Sequence, residues 1–153
     1  MKIKQILAKE AVISSLNAAT KEDLLFEMAT ILSRFIPDST SNELLKILTE
    51  REKLGSTGIG NGVAIPHGKV PQLTQIVAAF GRSMAGIPFD SQDSKPAYLF
   101  FVLLAPENAA SLHLKALARL SRLLKDVHFR NKLLEAQDDQ QLYQYIIEED
   151  EKS

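Results

Sequence analysis

Arg51-Glu52-Lys53-Leu54-Gly55-Ser56-Thr57-Gly58-Ile59-Gly60-Asn61-Gly62-Val63-Ala64-Ile65-Pro66-His67-Gly68-Lys69 is the stretch on which the reading of this chain turns. Gly55, Gly58, Gly60 and Gly62 fall within eight residues, so neither a helix nor a regular strand is expected there. A helix should end near Lys53, and Val63-Ala64-Ile65 should form a short strand stopped by Pro66 and Gly68. Backbone N–H groups exposed by such glycines invite an anion. Two nucleotide motifs fail against the letters, however. A P-loop needs Lys and then Ser or Thr after G-x-x-x-x-G, and Asn61-Gly62 stand there instead. The dinucleotide fingerprint G-x-G-x-x-G meets Val63 where its last glycine belongs, and it should follow a strand, not a helix.

On the N-terminal side, Thr20-Lys21-Glu22-Asp23 reads as a helix start, followed by Leu24, Leu25, Met28, Ile31, Leu32 and Phe35 at helical spacing. Thr40-Ser41-Asn42-Glu43 opens a second helix carrying Leu44, Leu45 and Leu48. On the C-terminal side, Gln75 to Arg82 reads as a strand with Ile76, Val77 and Phe80 inward, and Gly86-Ile87-Pro88 as a turn. Tyr98 to Ala105 is apolar nearly throughout, as a central strand covered on both faces should be. Leu112, Ala116, Leu117, Leu120, Leu123 and Leu124 give one long amphipathic helix from about Ala109 to Lys125. Shorter helices are expected over Asn131 to Ala136 and Gln140 to Ile147, and residues 148–153 should fray into solvent. Helices at both ends of a strand-rich middle predict an α/β (α+β) architecture: a single three-layer domain over residues 1–153, with a small mixed β-sheet flanked by helices on both faces.

The whole composition suits one globular domain. With 153 residues and 17.0 kDa, area scaling gives about 7,700 Å² folded against about 24,700 Å² unfolded, which suffices for a core. Lys and Arg total 18 against 19 Asp and Glu, a net charge of −1 that offers no electrostatic reason to bind nucleic acid. The absence of cysteine excludes disulfides, thiolate metal sites and cysteine nucleophiles. The longest apolar run is far short of the roughly 20 residues of a membrane span, and the start lacks a signal-peptide pattern. A cytoplasmic chain without membrane insertion is expected.

Among candidate site residues, His67 leads. Pro66 fixes its own φ and holds Ile65 extended, so the imidazole is presented from a stiff strand end, while Gly68 leaves its far side open. A neutral imidazole held that way can attack phosphorus. Taken by itself, a turn histidine without a task is the favoured reading. His113 opens the long helix on the face of Leu117, Leu120 and Leu124, so it should point inward, as a core histidine or as a partner of an anion at the helix start. Arg51 reads as a partner of the helix C-terminus or as a surface charge. His128 has no supporting pattern.

The nineteen residues quoted above resemble the signature of the phosphotransferase-system enzyme IIA domains of the fructose/mannitol superfamily, and within it the nitrogen-regulatory branch. Pro88-Phe89-Asp90, Pro106-Glu107, His113-Leu114 with Leu117-Ala118, and Leu142-Tyr143 follow in the family's order, so the resemblance runs from about residue 5 to about residue 147. It implies that His67 carries a phosphoryl group, that His113 hydrogen-bonds the phosphoryl oxygens, and that Arg51 neutralises their charge. Ser56, Thr57 and Gly58 are further phosphate-loop candidates. No metal or cofactor is implied. The partners implied are an HPr-like or NPr-like phosphocarrier donor and regulatory targets of the transporter or sensor-kinase type. The alternatives are a sugar-specific IIA component that passes phosphate to a IIB domain, and a binding module without turnover. The chain departs from the pattern at Tyr98, where relatives often carry an acidic residue, and around Met84-Ala85-Gly86.

Overall fold

The computed structural model describes residues 1–152, and its accessible surface of 7830 Å² is close to the area that chain length alone requires. After a single 3₁₀ turn at Ile3–Gln5 come β1 (Leu7–Ile13), α1 (Lys21–Ser33), α2 (Ser41–Lys53), β2 (Gly58–Gly60), β3 (Val63–Ala64) and β4 (His67–Val70). Then follow β5 (Val77–Ile87), β6 (Ala97–Pro106), α3 (Ala110–Lys125), α4 (Val127–Glu135) and α5 (Asp139–Glu151). The strands form one mixed sheet in the order β1-β5-β6-β3-β2, with β4 also on β6. β5 and β6 are antiparallel, while β1 on β5 and β3 and β4 on β6 are parallel. This is the α/β sheet with helices on both faces that the pattern predicts.

Local chemistry explains the helix starts. Thr20 accepts a hydrogen bond from the Asp23 N–H, and Thr40 and Glu43 close a reciprocal capping box at the head of α2. β6 is buried along nearly its whole length, and Phe100 stacks edge-on against Phe89 and Phe101 against Phe80.

Several expectations need correction. The sequence reading contained no strand before α1, yet Leu7–Ile13 forms β1, because Leu7, Ala11 and Val12 bury against β5 and α5. The glycine-rich segment does contain strands. Gly58–Gly60 and Val63–Ala64 pair antiparallel around Asn61-Gly62, whose φ values of 58° and 77° are those of a two-residue hairpin loop. The chain also resumes pairing after Pro66, so His67 opens β4 instead of ending a strand. Pro66 lacks the N–H, but its carbonyl still accepts from Leu103, which keeps the edge continuous.

The expected turn at Gly86 is the end of β5. There Gly86 has φ 85°, and a Cβ on it would lie 2.8 Å from the Tyr98 ring, so the close packing of Tyr98 on the end of β5 requires a glycine at this position. α4 begins at Val127, four residues earlier than expected, because Asp126 caps it through the N–H groups of His128 and Phe129. The expected fraying tail is instead the last turn of α5. Asp150 is buried, accepts from the Ile3 N–H at 2.7 Å and pairs with Arg119 at 2.5 Å. Ser153, the end of that predicted tail, lies outside the described residues.

Candidate functional site

α2, β4 and the first turns of α3 enclose a cleft of about 490 Å³, lined by Ile47, Glu50, Arg51, Leu54, His67, Gly68, Lys69, Ala110, His113, Leu114 and Leu117. The close approach of α2 to β4 requires Gly68, since a Cβ there would fall 2.5 Å from Ile47 Cγ2. That contact holds the Arg51 end of α2 beside His67.

His67 is half-buried, and its Nδ1 lies 2.8 Å from the Ile65 carbonyl. A carbonyl only accepts, so Nδ1 carries the hydrogen and the Nε2 lone pair is left free. Burial pushes the His67 pKa below its usual 6.5, against the Ile65 hydrogen bond; Arg51 acts with burial and Glu52 against it. The imidazole is therefore neutral near pH 7, the form able to attack.

His113 stands edge-on to His67, with ring centroids 5.4 Å apart and planes at 79°. It is only 6% exposed, and its Nε2 finds no hydrogen-bond partner among the described residues. A buried polar atom without a partner is costly to folding, by about 1–3 kcal/mol, and such sites mark functional constraint. Its pKa is also lowered, by burial first and then by His67 and Lys69. Both histidines thus bind protons less readily in the folded chain than when unfolded. Stability should then fall as pH drops below 6.5 through the lowered folded values, and should hold above that window. Denaturant titrations between pH 7 and pH 5 check this; a His113→Gln variant should show a shallower decline than the parent.

Arg51 lines the same cleft while its guanidinium donates to the Gly55 carbonyl at 2.9 Å, so it serves the helix end and faces the site together. The structure therefore brings His67, His113 and Arg51 to one cleft. The loop candidates lie apart from its lining. Ser56 Oγ donates to the Phe89 carbonyl at 2.7 Å and accepts from the Gly58 N–H at 3.0 Å, and the buried Thr57 hydroxyl donates to Glu52. His128 is exposed at the start of α4.

Sequence reasoning overlooked Glu52. It follows Leu44 and Leu48 at intervals of four, which puts a carboxylate on the core-facing stripe of α2, and it is indeed buried. No group of three or more His, Asp or Glu residues suited to a metal ion occurs among the described residues, and none of their helices is long and apolar enough to cross a membrane.

The family model described as "Phosphoenolpyruvate-dependent sugar phosphotransferase system, EIIA 2" matches residues 5–149. A nitrogen regulatory protein of Bradyrhizobium diazoefficiens is 41% identical over 146 residues, covering 95% of each chain. The fructose-specific EIIABC component of Bacillus subtilis is 37% identical over 150 residues, which are 98% of this chain and 24% of that longer protein. Among solved structures, the nitrogen regulatory protein IIA-Ntr of Neisseria meningitidis superposes with a TM-score of 0.89 at 33% identity, covering 94% of this chain and 98% of its own. With near-complete coverage in sequence and in fold, the chain belongs to the EIIA type-2 family of the phosphotransferase system, related both to nitrogen regulatory IIA proteins and to fructose-specific components.

Proposed function

We propose that the chain is a phosphohistidine carrier, taking a phosphoryl group on His67 Nε2 from the phosphohistidine of an HPr-like donor and altering the binding of partner proteins by its phosphorylation state. The observation that carries this reading is the Nδ1–H bond from His67 to Ile65, which fixes the tautomer that attacks. In the transfer, the P–N bond to the donor breaks with its electron pair staying on the donor's imidazole, and the P–Nε2 bond forms from the His67 lone pair. The Nδ1 proton remains on the carbonyl side.

Phosphoryl transfer demands in-line positioning and charge stabilisation more than covalent help. Arg51 supplies positive charge. The unpartnered His113 Nε2 supplies a donor that finds its acceptor only when a phosphoryl oxygen arrives. Ser56, Thr57 and Gly58 shape the loop. The mostly apolar rim, with Leu54 84% exposed and Leu114 68% exposed, suits a protein donor better than a small hydrophilic substrate. A dianionic group set within that rim changes the charge of the docking surface, which is how phosphorylation would be read by a regulatory target.

A second reading, transfer onward to a IIB domain in sugar uptake, is favoured by the identity to the fructose-specific component. Incubation with phosphoenolpyruvate, enzyme I and a phosphocarrier, followed by intact-protein mass spectrometry, tests the phosphocarrier reading; one acid-labile phosphoryl group is expected, and none would refute it. Adding a fructose-type IIB domain then separates the two uses of the group. His113→Ala should slow uptake about 10- to 100-fold with the fold retained. A large loss of thermal stability at an unchanged rate would make His113 a core residue instead.

A further inference from the structure

Glu52 is a charged residue in the interior that the proposed transfer does not itself use. It is 9% exposed, on the last turn of α2, and both carboxylate oxygens are occupied. Oε1 accepts from the Thr57 N–H at 3.2 Å and pairs with Lys21 Nζ at 2.9 Å; Oε2 accepts the Thr57 hydroxyl. Lys21 is itself confined, 3.6 Å from Asp90 and 4.7 Å above the Phe89 ring. A buried ion pair is weak evidence for stability, because the desolvation of both charges offsets their attraction. Its placement suggests another use.

From Thr57 a line of hydrogen bonds runs to the proposed acceptor. The Thr57 carbonyl accepts from the Ile65 N–H at 3.0 Å, and the Ile65 carbonyl accepts from His67 Nδ1–H at 2.8 Å. Each of these residues fixes the next: Glu52 clasps Thr57 by two groups, Thr57 registers Ile65, and Ile65 selects the ring tautomer. We propose that Glu52, anchored by Lys21, is a positioning residue for phosphoryl acceptance on His67, acting through Thr57 and Ile65 without touching the phosphoryl group. This rests on the phosphocarrier reading of the site. The carboxylate also works against burial in setting the proton affinity of His67, so its charge and its hydrogen bonds are felt at the same ring.

Glu52→Gln, Thr57→Val and Thr57→Ser in the full chain test the proposal. Three quantities are needed: the phosphorylation rate over a range of donor concentrations, the ¹⁵N ring spectrum of His67 over a pH series, and the melting temperature. Glu52→Gln should cut the saturating rate about 10-fold or more while leaving the donor KM within about 2-fold, since misplacing a reacting group costs rate and not docking. Its His67 titration midpoint should move to lower pH. Thr57→Val should reproduce the rate loss with a smaller Nδ1–H population, and Thr57→Ser, which keeps the hydroxyl, should restore both. Wild-type rates and an unchanged ring spectrum in Glu52→Gln and Thr57→Val would overturn the proposal, whatever their melting temperatures. Should Glu52→Gln fail to fold, the two Thr57 variants decide by the same criteria. The ring spectrum needs no donor. An unphosphorylatable wild type would therefore refute the carrier reading and with it a positioning role in phosphoryl acceptance, whereas a ring spectrum indifferent to Glu52 and Thr57 in a phosphorylatable chain would refute the positioning role alone.

Discussion

His67→Ala is expected to yield a folded protein that accepts no phosphoryl group. The ring's one hydrogen bond, to Ile65, contributes about 1 kcal/mol, and the site is half open to solvent, so the fold should persist. The loss of function should be complete for a chemical reason: no other imidazole is placed to substitute. His113 is only 6% exposed with its ring packed against His67, and the exposed His128 sits at the start of α4, outside the cleft that holds His67 and Arg51. Mass spectrometry of the variant beside the parent, with circular dichroism to verify folding, gives the answer. Full-rate labelling of the variant would mean that the acceptor lies elsewhere. Labelling at a few per cent of the parental rate would point to His113 becoming reachable once the neighbouring ring is gone.

The site and the central sheet were legible in the letters to different degrees. The apolar run of β6 and the capped starts of α1 and α2 are local signals, and they placed those elements within a residue or two. The Arg51 to Lys69 stretch named Arg51 and His67, and the start of the long helix named His113, the three residues that the fold brings to one cleft. What escaped was set by contacts distant in sequence. β1 has the burial pattern of an ordinary amphipathic segment and becomes a strand only because β5 lies ready to pair with it. The C-terminal acidic run looked like a solvated tail, yet Asp150 is drawn inside by Arg119 and the Ile3 amide, 147 residues away. In one place the signal was local and was missed. Asn61-Gly62 is the dipeptide favoured in two-residue hairpins, and it was masked by the reading of the surrounding glycines as structureless. Glu52 was also visible, as the one carboxylate on the Leu44–Leu48 stripe.

Arg82 carries the largest expected stability effect, and its role was invisible in the sequence because it sits mid-strand in an apolar pattern. The side chain is 4% exposed and has no carboxylate in hydrogen-bond contact among the described residues. Its Nε donates to the Ser14 carbonyl at 3.0 Å, and one terminal nitrogen reaches the carbonyls of Leu133 at 2.9 Å and Ala136 at 2.5 Å. The guanidinium thus closes the C-terminal end of α4, where unpaired carbonyls and the helix dipole favour a cation, and ties it to the loop after β1. Burial lowers its pKa, and Asp139, whose carboxylate accepts from the Ser14 N–H at 2.6 Å, opposes that shift. Arg82→Met would keep most of the volume but leave several buried carbonyls without donors. The loss should be about 3–5 kcal/mol, a large share of the roughly 5–15 kcal/mol that holds a domain together. Arg82→Lys should fall between, since one ammonium cannot span both the Ser14 and the α4 carbonyls. Urea unfolding of the three proteins reads this directly; a shift below 1 kcal/mol in Arg82→Met would show that water replaces the guanidinium at little cost. Because Arg82 lies outside the His67 cleft, the variant's phosphorylation rate measured well below its melting point should stay within about 2-fold of the parent. Stability and phosphoryl chemistry would then be separable in this chain, with the Arg82 side chain serving only the first.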